Sequence, residues 1–358
     1  MEMKKISIVV VVLFTSMLSA YAGNKDRAGQ AGAYELLINP WARSSGWHGL
    51  NTAGARGLEA MNLNVAGLSF TEKTEVLFAH SIYLNGTGIN INAFGFSQAL
   101  GKSGGVLGIN LMAMSFGDIM VTTVNLPEGG LGTFHPQFIN LGIAYAKSFS
   151  NSIYGGFVVR AITESVADAK AAGLSFDAGI QYKTGDKKFD DRVKFGIALR
   201  NIGTPLKFQG DALTYKGNAA QGDYQLTVSQ RSQQFELPSL LNIGASYDLH
   251  FGKNTGENKT THRVTIAMNF TSHSFQRDNI GVGGEYSLKD QFMVRLGYNY
   301  ESELLNEAAR TNAYTGLAGG FTFELPTKKN KSTVALDYSY RASNPWGGTH
   351  TLGARINL

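Results

Sequence analysis

The chain has 358 residues, with 43 glycines, 15 tyrosines, 21 phenylalanines, only 16% charged side chains and no cysteine. Lack of cysteine excludes a disulfide framework, and lack of any 18-residue apolar run beyond residue 22 excludes a membrane-crossing helix. The formal charge of +5 is too small and too dispersed to point to nucleic acid.

Residues 1–22 read as a secretory signal. Met1 to Lys5 is basic, Ile6 to Leu18 is apolar, and Ala20-Tyr21-Ala22 supplies the small-x-small pattern that places cleavage after Ala22. Loss of Lys4, Lys5 and Glu2 brings the charge to +4. Residues 23–70 follow, rich in glycine and without a two-residue period, with a helix expected near Gly57 to Leu63.

From Thr74 the hydrophobic period is two. Strands are expected near 74–84, 88–99, 105–116, 137–149, 152–163, 172–183, 192–202, 239–251, 262–271, 279–288, 291–301, 315–325, 332–341 and 348–358. Most have the roughly 9–11 residues that a tilted strand needs to cross a bilayer. The connections sort into two sets. Those after even-numbered strands are short, as at Gly101 to Gly104, Ser150-Asn151 and Lys289-Asp290, whereas Gly117 to Pro136, Gly203 to Pro238 and Ser302 to Tyr314 are long. Short turns at one end and long loops at the other predict an all-β fold, a 14-stranded antiparallel transmembrane β-barrel. Its turns and both termini face the periplasm, and its outer face meets outer-membrane lipid. The final "GTHTLGARINL" alternates to its last residue because a closed barrel has no free edge, so that strand must pair with the first.

Such a barrel is too wide for its own side chains to fill, so residues 23–70 are expected inside it as a plug, with the barrel proper spanning 71–358. The charged residues of the strands, among them Arg160, Glu164, Asp177, Arg200, Asp248, Glu285, Arg295, Glu324, Asp337 and Arg355, are expected to face the lumen, since a basic side chain on lipid costs about 2–4 kcal/mol near the midplane. They form either a network that holds the plug or a path for a ligand. Among the loops, Gly117 to Pro136 is unusually apolar, with Ile119, Met120, Val121, Val124, Leu126, Leu131 and Phe134. It reads equally as a partner-binding surface and as a lid over the barrel mouth. Gly203 to Pro238 is polar, suited to an extended hairpin or to a partner. Gly95, at a fault in the alternation, suggests a bulge.

Nothing in the sequence forms a convincing catalytic constellation. Seven histidines lack metal-ligand spacing, and there is no Gly-x-Ser-x-Gly elbow or phosphate loop. No enzyme, cofactor or metal is expected.

The segment "INPWARSSGWHGLNTAGARGLEAMNLNVAGLSF", with Ala42-Arg43 and Asn64-Val65-Ala66-Gly67-Leu68, resembles the N-terminal hatch of the PorV/PorQ family, a branch of the FadL-like outer-membrane barrels. Phe176-Asp177-Ala178-Gly179, Asn201-Ile202-Gly203 and "GGEYSLKDQFMVRLGYNY" extend the resemblance over most of the chain. Val65 departs from the family's proline, and Arg160 from its commoner lysine. The resemblance implies an accessory role in type IX secretion, in which the loops bind a larger outer-membrane translocon or secreted proteins with a C-terminal signal domain. The wider FadL-like group implies instead passive transport of a small hydrophobic ligand, with Trp41, Trp47, Leu50, Leu58, Met61 and Leu63 lining an apolar pocket. A subunit of another outer-membrane complex is a third possibility.

Overall fold

The structure is a computed structural model, and it describes residues 23–101, 104–184, 191–218, 224–256, 259–327 and 332–358. The expected signal sequence, and parts of the expected turns 101–104, 184–191, 252–261 and 326–331, lie outside the described residues.

Fourteen long strands build one closed sheet. They are β1 (Thr74–Tyr83), β2 (Ile89–Ala99), β3 (Val106–Ser115), β4 (Gln137–Ser148), β5 (Ile153–Val166), β6 (Ala169–Thr184) and β7 (Val193–Gly203), then β8 (Leu240–Gly256), β9 (Lys259–His273), β10 (Asn279–Leu288), β11 (Phe292–Glu301), β12 (Tyr314–Pro326), β13 (Thr333–Ser343) and β14 (Thr349–Asn357). Each pairs antiparallel with its sequence neighbours. β14 closes the sheet on β1, from Glu75 opposite Asn357 to Ile82 opposite His350.

Alternation decides which way each side chain points. On β14, Leu352 and Ile356 face out, whereas Thr351, Gly353 and Arg355 are buried inside. The same holds around the wall, where Phe78, Phe94, Ile109, Ile143, Phe157 and Leu336 form part of a broad outer belt. In water an apolar surface of that extent would aggregate; against lipid tails it is the stable arrangement of a membrane-spanning barrel.

Two details differ from the sequence reading. Gly95 is not a bulge, because β2 and β3 pair in continuous register through Gly95 opposite Asn110. It faces Leu58 and Trp41, and a Cβ there would meet them at 3.3–3.4 Å. The irregularities lie elsewhere. Between β6 and β7 one extra residue is inserted, so that consecutive Arg200 and Asn201 are both buried. Between β12 and β13 the register slips by two, which sets Tyr314 opposite Ser343.

Residues 31–70 lie inside the wall, whereas residues 23–30 sit at the loop end and not at the turn end expected for the N-terminus: the Gly23 amide donates to Asp278, between β9 and β10, at 2.6 Å, and Arg27 pairs with Glu236 of the loop 203–238 at 2.9 Å. Residues 31–70 form a short helix, Ala42–Ser45, and 3-10 turns at Tyr34–Leu37, Leu58–Asn62 and Val65–Phe70, of which Leu58–Asn62 falls at the helix expected near 57–63. The high glycine content follows from this packing, because inward-facing glycines let the inner chain approach the wall. At Gly297 a Cβ would sit 2.7 Å from the backbone of Trp47, and at Gly196 it would sit 2.5 Å from the carbonyl oxygen of Thr52. Both distances are too short for any side chain.

Candidate functional site

The end of the barrel bearing the short turns carries a ladder of charges, one rung per strand. Lys194 on β7 binds Asp248 on β8 at 2.5 Å. Arg263 on β9 lies 4.0 Å from Asp248 and 3.1 Å from Glu285 on β10. Arg295 on β11 meets Glu285 at 2.5 Å and donates to Thr322 on β12, which in turn donates to Asp337 on β13. Arg355 on β14 pairs with Glu324 at 2.8 Å. Buried ions of alternating sign satisfy one another, which a single buried charge could not do.

Arg43 of the inner segment sits over this ladder, 3.5 Å from Glu59. Burial alone would lower its pKa, but the fields of Glu59, Glu285, Asp337 and Glu324 raise it. The Arg43 guanidinium therefore ties the inner segment to the wall electrostatically. Ala42 beside it packs against Gly353.

The other sequence motif, Asn64 to Leu68, is a second anchor. The Asn64 side-chain amide donates to the carbonyls of Thr52 at 3.1 Å and Ile180 at 3.0 Å, while its oxygen accepts from the Ala66 amide at 3.2 Å. One side chain thus joins two parts of the inner segment to β6. Val65, Ala66 and Leu68 are buried, and Gly67 leaves room for Ala55, whose carbonyl oxygen a Cβ would meet at 2.0 Å. Further anchors come from the wall. Glu75 accepts from the Leu58 amide at 2.8 Å, Arg160 donates to the Met61 carbonyl at 3.2 Å while pairing with Asp177, and Asn110 donates to Asn62. The lumen-facing charges thus bind one another and the inner segment.

The six residues proposed as an apolar pocket do not surround one space. Trp41, Leu58 and Met61 are packed into a core with Leu68, Leu77, Val106 and Val158, and the Trp41 indole donates to Asn62 at 3.0 Å. Leu50 and Leu63 instead line a cavity of about 300 Å³ toward the long loops. Trp47 lines another, of about 360 Å³, toward the short turns. The inner chain separates the two.

The cavity toward the loops is mostly polar. Asn39, Asn242, Asn269, Asn279, Asn299 and Asn312 line it together with Tyr34, Tyr83, Tyr314, His48, Arg200 and Arg341. His48 holds a left-handed backbone (φ 62°) and packs edge-on against the Tyr314 ring at 5.8 Å. Burial, reinforced by Arg341, lowers its pKa to about 3, so the imidazole is neutral at pH 7. Nearer the loops, Glu35 is buried in reach of Glu164 and Asn140. Burial and the neighbouring carboxylate push Glu35 up to about 8.

At the turn end Asp191, Asp248 and His250 bring possible ligand atoms within 4.8 Å of one another. Asp248 is held by Lys194, and Asp191 by Arg56 at 2.7 Å. The carboxylates already have cationic partners, and Arg263 adds a third positive charge, so the arrangement does not favour a metal ion. It lowers the pKa of Asp191, against burial, through Arg56 and Lys194.

Among the loops, Ile119, Met120, Val124, Leu126 and Leu131 are exposed, Val124 at 99%, while Val121 and Phe134 are half-buried. Ile119–Met120 pairs with Thr133–Phe134 in a small hairpin, and most of its apolar side chains are turned to solvent. In the loop 203–238, Thr214–Asn218 and Gln225–Ser229 form a hairpin. Lys194, Arg263 and Arg341 were missed in the sequence as lumen charges. Alternation with Val193 and Phe195, and with Val264 and Ile266, marks the first two; Arg341 lies past the end of a clear pattern.

No family model and no curated protein matches the sequence. Solved structures do. The Pseudomonas putida toluene transporter TodX aligns at TM-score 0.53 with 12% identity, over 87% of this chain and 96% of that one. A TodX ΔS2S3 mutant, described as a monoaromatic hydrocarbon channel, aligns at 0.53 with 14% identity over 89% and 99%. The chain shares the 14-stranded outer-membrane barrel fold of these structures. At such identities the likeness is one of fold, and the resemblance to the PorV/PorQ family has no family match behind it.

Proposed function

We propose that this protein is a FadL-like outer-membrane channel for passive passage of small molecules with an apolar body. In this reading the signal is removed near Ala22, the long loops face outside, the short turns and the C-terminus face the periplasm, and the inner segment starts at the loop end, where Gly23 donates to Asp278. Residues 23–70 act as the plug. Substrate collects in the cavity on the loop side and passes when the plug shifts. The observation that carries the reading is the combination of a barrel sharing the fold of a toluene transporter with an inner segment that parts two cavities. Uptake of labelled toluene by intact cells, with and without the protein in their outer membrane, tests it. Faster uptake is expected; equal rates would sink the channel reading.

The solvent-turned apolar hairpin at 119–134 favours a second reading, the protein-interaction barrel of a secretion assembly. Its test is co-purification from native membranes in gentle detergent, compared with a variant lacking Gly117 to Pro136. Loss of a giant barrel or of secreted proteins sharing a C-terminal domain on that deletion would support it. Purification as a clean monomer in both cases would count against it.

A further inference from the structure

Two cations line the loop-side cavity, and neither forms an ion pair among the described residues; Arg200 donates to the Leu36 carbonyl at 3.3 Å, whereas Arg341 has no such acceptor. Arg341 on β13 is 8% exposed and forms no ion pair among the described residues, and its Nε has no hydrogen-bond partner. Its guanidinium instead lies over the Tyr314 ring, 4.4 Å from the centroid. Leaving a guanidinium desolvated without a counter-charge is costly, and the cation–π contact returns only about 0.5–2 kcal/mol. Each cation of the turn-side ladder solves this problem with a carboxylate from a strand one or two places away. On the loop side the wall carboxylates Glu164 and Glu301 are buried elsewhere, and neither pairs with Arg341.

The surroundings add to this. The register slip between β12 and β13 places Tyr314 opposite Ser343, where regular continuation from Ala318 opposite Arg341 would place Gly316. Such irregularities re-aim side chains beside binding sites. The Tyr314 hydroxyl is held by Thr349 at 2.9 Å, and the ring is 6.3 Å from Tyr83 and 5.8 Å from His48. These rings form an aromatic wall around one guanidinium. His48 Nε2, Asn269 Oδ1 and Asn299 Oδ1 are also buried without partners, and all three residues line the same cavity.

We propose that the loop-side cavity is a binding site for small monocyclic aromatic carboxylates, with Arg341 as the carboxylate receptor. The acid supplies the missing counter-charge, accepted by the guanidinium fork in the bidentate manner that suits Arg to carboxylates. The ring of the ligand packs between Tyr314, Tyr83 and His48, and Leu50 and Leu63 close the apolar side. A cavity of about 300 Å³ lies at the small end of ligand pockets, which fits one ring and not a long acyl chain. The inference deepens the channel reading by naming a substrate class for its first cavity, and it rests on that reading only for the direction of travel.

Calorimetric titration of the purified full-length barrel with benzoate and with benzyl alcohol, its neutral counterpart in size and shape, tests the assignment. Benzoate is expected to bind at least tenfold more tightly. Arg341→Gln should remove that advantage and leave benzyl alcohol unchanged, while Arg341→Lys should restore part of it; heat-modifiable migration on a gel reports whether each variant is folded. Benzyl alcohol binding as tightly as benzoate in the wild-type protein would overturn the proposal, and that comparison needs no variant. Undiminished benzoate binding by folded Arg341→Gln would do the same. Toluene uptake by cells is measured separately, so failure of the channel reading and failure of the acid site give different results.

Discussion

Glu35 shows how a single residue can link the seat of the inner segment to pH. Its carboxyl is buried beside Glu164 and is pushed up to about 8 from an ordinary value of 4.5. Because the folded-state pKa lies above the unfolded one, this contribution is fully present below about pH 4.5 and is lost as pH rises through 8. The inner segment should therefore become more susceptible to added protease between pH 5 and 8.5, and Glu35→Gln should flatten that dependence. An identical slope in wild type and variant would show that other groups govern it. Glu285 tests the ladder in the same way. It lies between Arg263 and Arg295, so Glu285→Gln leaves the buried Arg295 without a carboxylate, at a cost of about 3–5 kcal/mol, while Arg263 keeps Asp248 and Asp290. A large fall in thermal midpoint is expected; a change of a degree or less would mean that the ladder is solvated.

At the scale of the element, the inner segment is held by shape as much as by charge. Gly297 and Gly196 give it room on opposite stretches of the wall. Gly297→Val would drive two methyl groups into the Trp47 backbone, a strain of about 1–3 kcal/mol for overpacking. The expected result is a folded barrel with a loosened segment, read as faster cleavage within residues 40–60 and unchanged heat-modifiability. Asn64→Ala removes a buried amide that joins the segment to β6, and each orphaned partner costs about 1–3 kcal/mol. It should loosen the segment similarly, so equal protease resistance to wild type would argue against the anchor.

For the molecule as a whole, closure is the dominant constraint. β14 pairs with both β1 and β13, so removing residues 352–358 exposes two strand edges in lipid, where unpaired backbone groups have no water to turn to. That truncation should abolish heat-modifiable migration altogether. Deleting Gly117 to Pro136 should leave the barrel folded, because its hairpin packs outside the closed sheet. If the channel reading holds, toluene uptake survives that deletion.

All fourteen strands were legible from the two-residue period alone, and so was the inward direction of their charges. The reason is local: in a barrel one face meets lipid and the other the lumen, so each residue's neighbours along the chain announce its side. The turn and loop ends were legible from connection lengths. What could not be read were relations between residues distant in sequence. Periodicity marks Asp248, Arg263 and Glu285 as inward, but only strand register stacks them into a ladder. Composition shows an excess of glycine, but only the path of the inner chain shows which ones make room for it. Trp41, Leu58 and Met61 look like pocket residues until tertiary packing fills the space around them. Arg341 is an ordinary strand-end arginine in the sequence. It becomes a buried, unpaired cation only because a register slip sets Tyr314 beneath it and no carboxylate of the wall pairs with it.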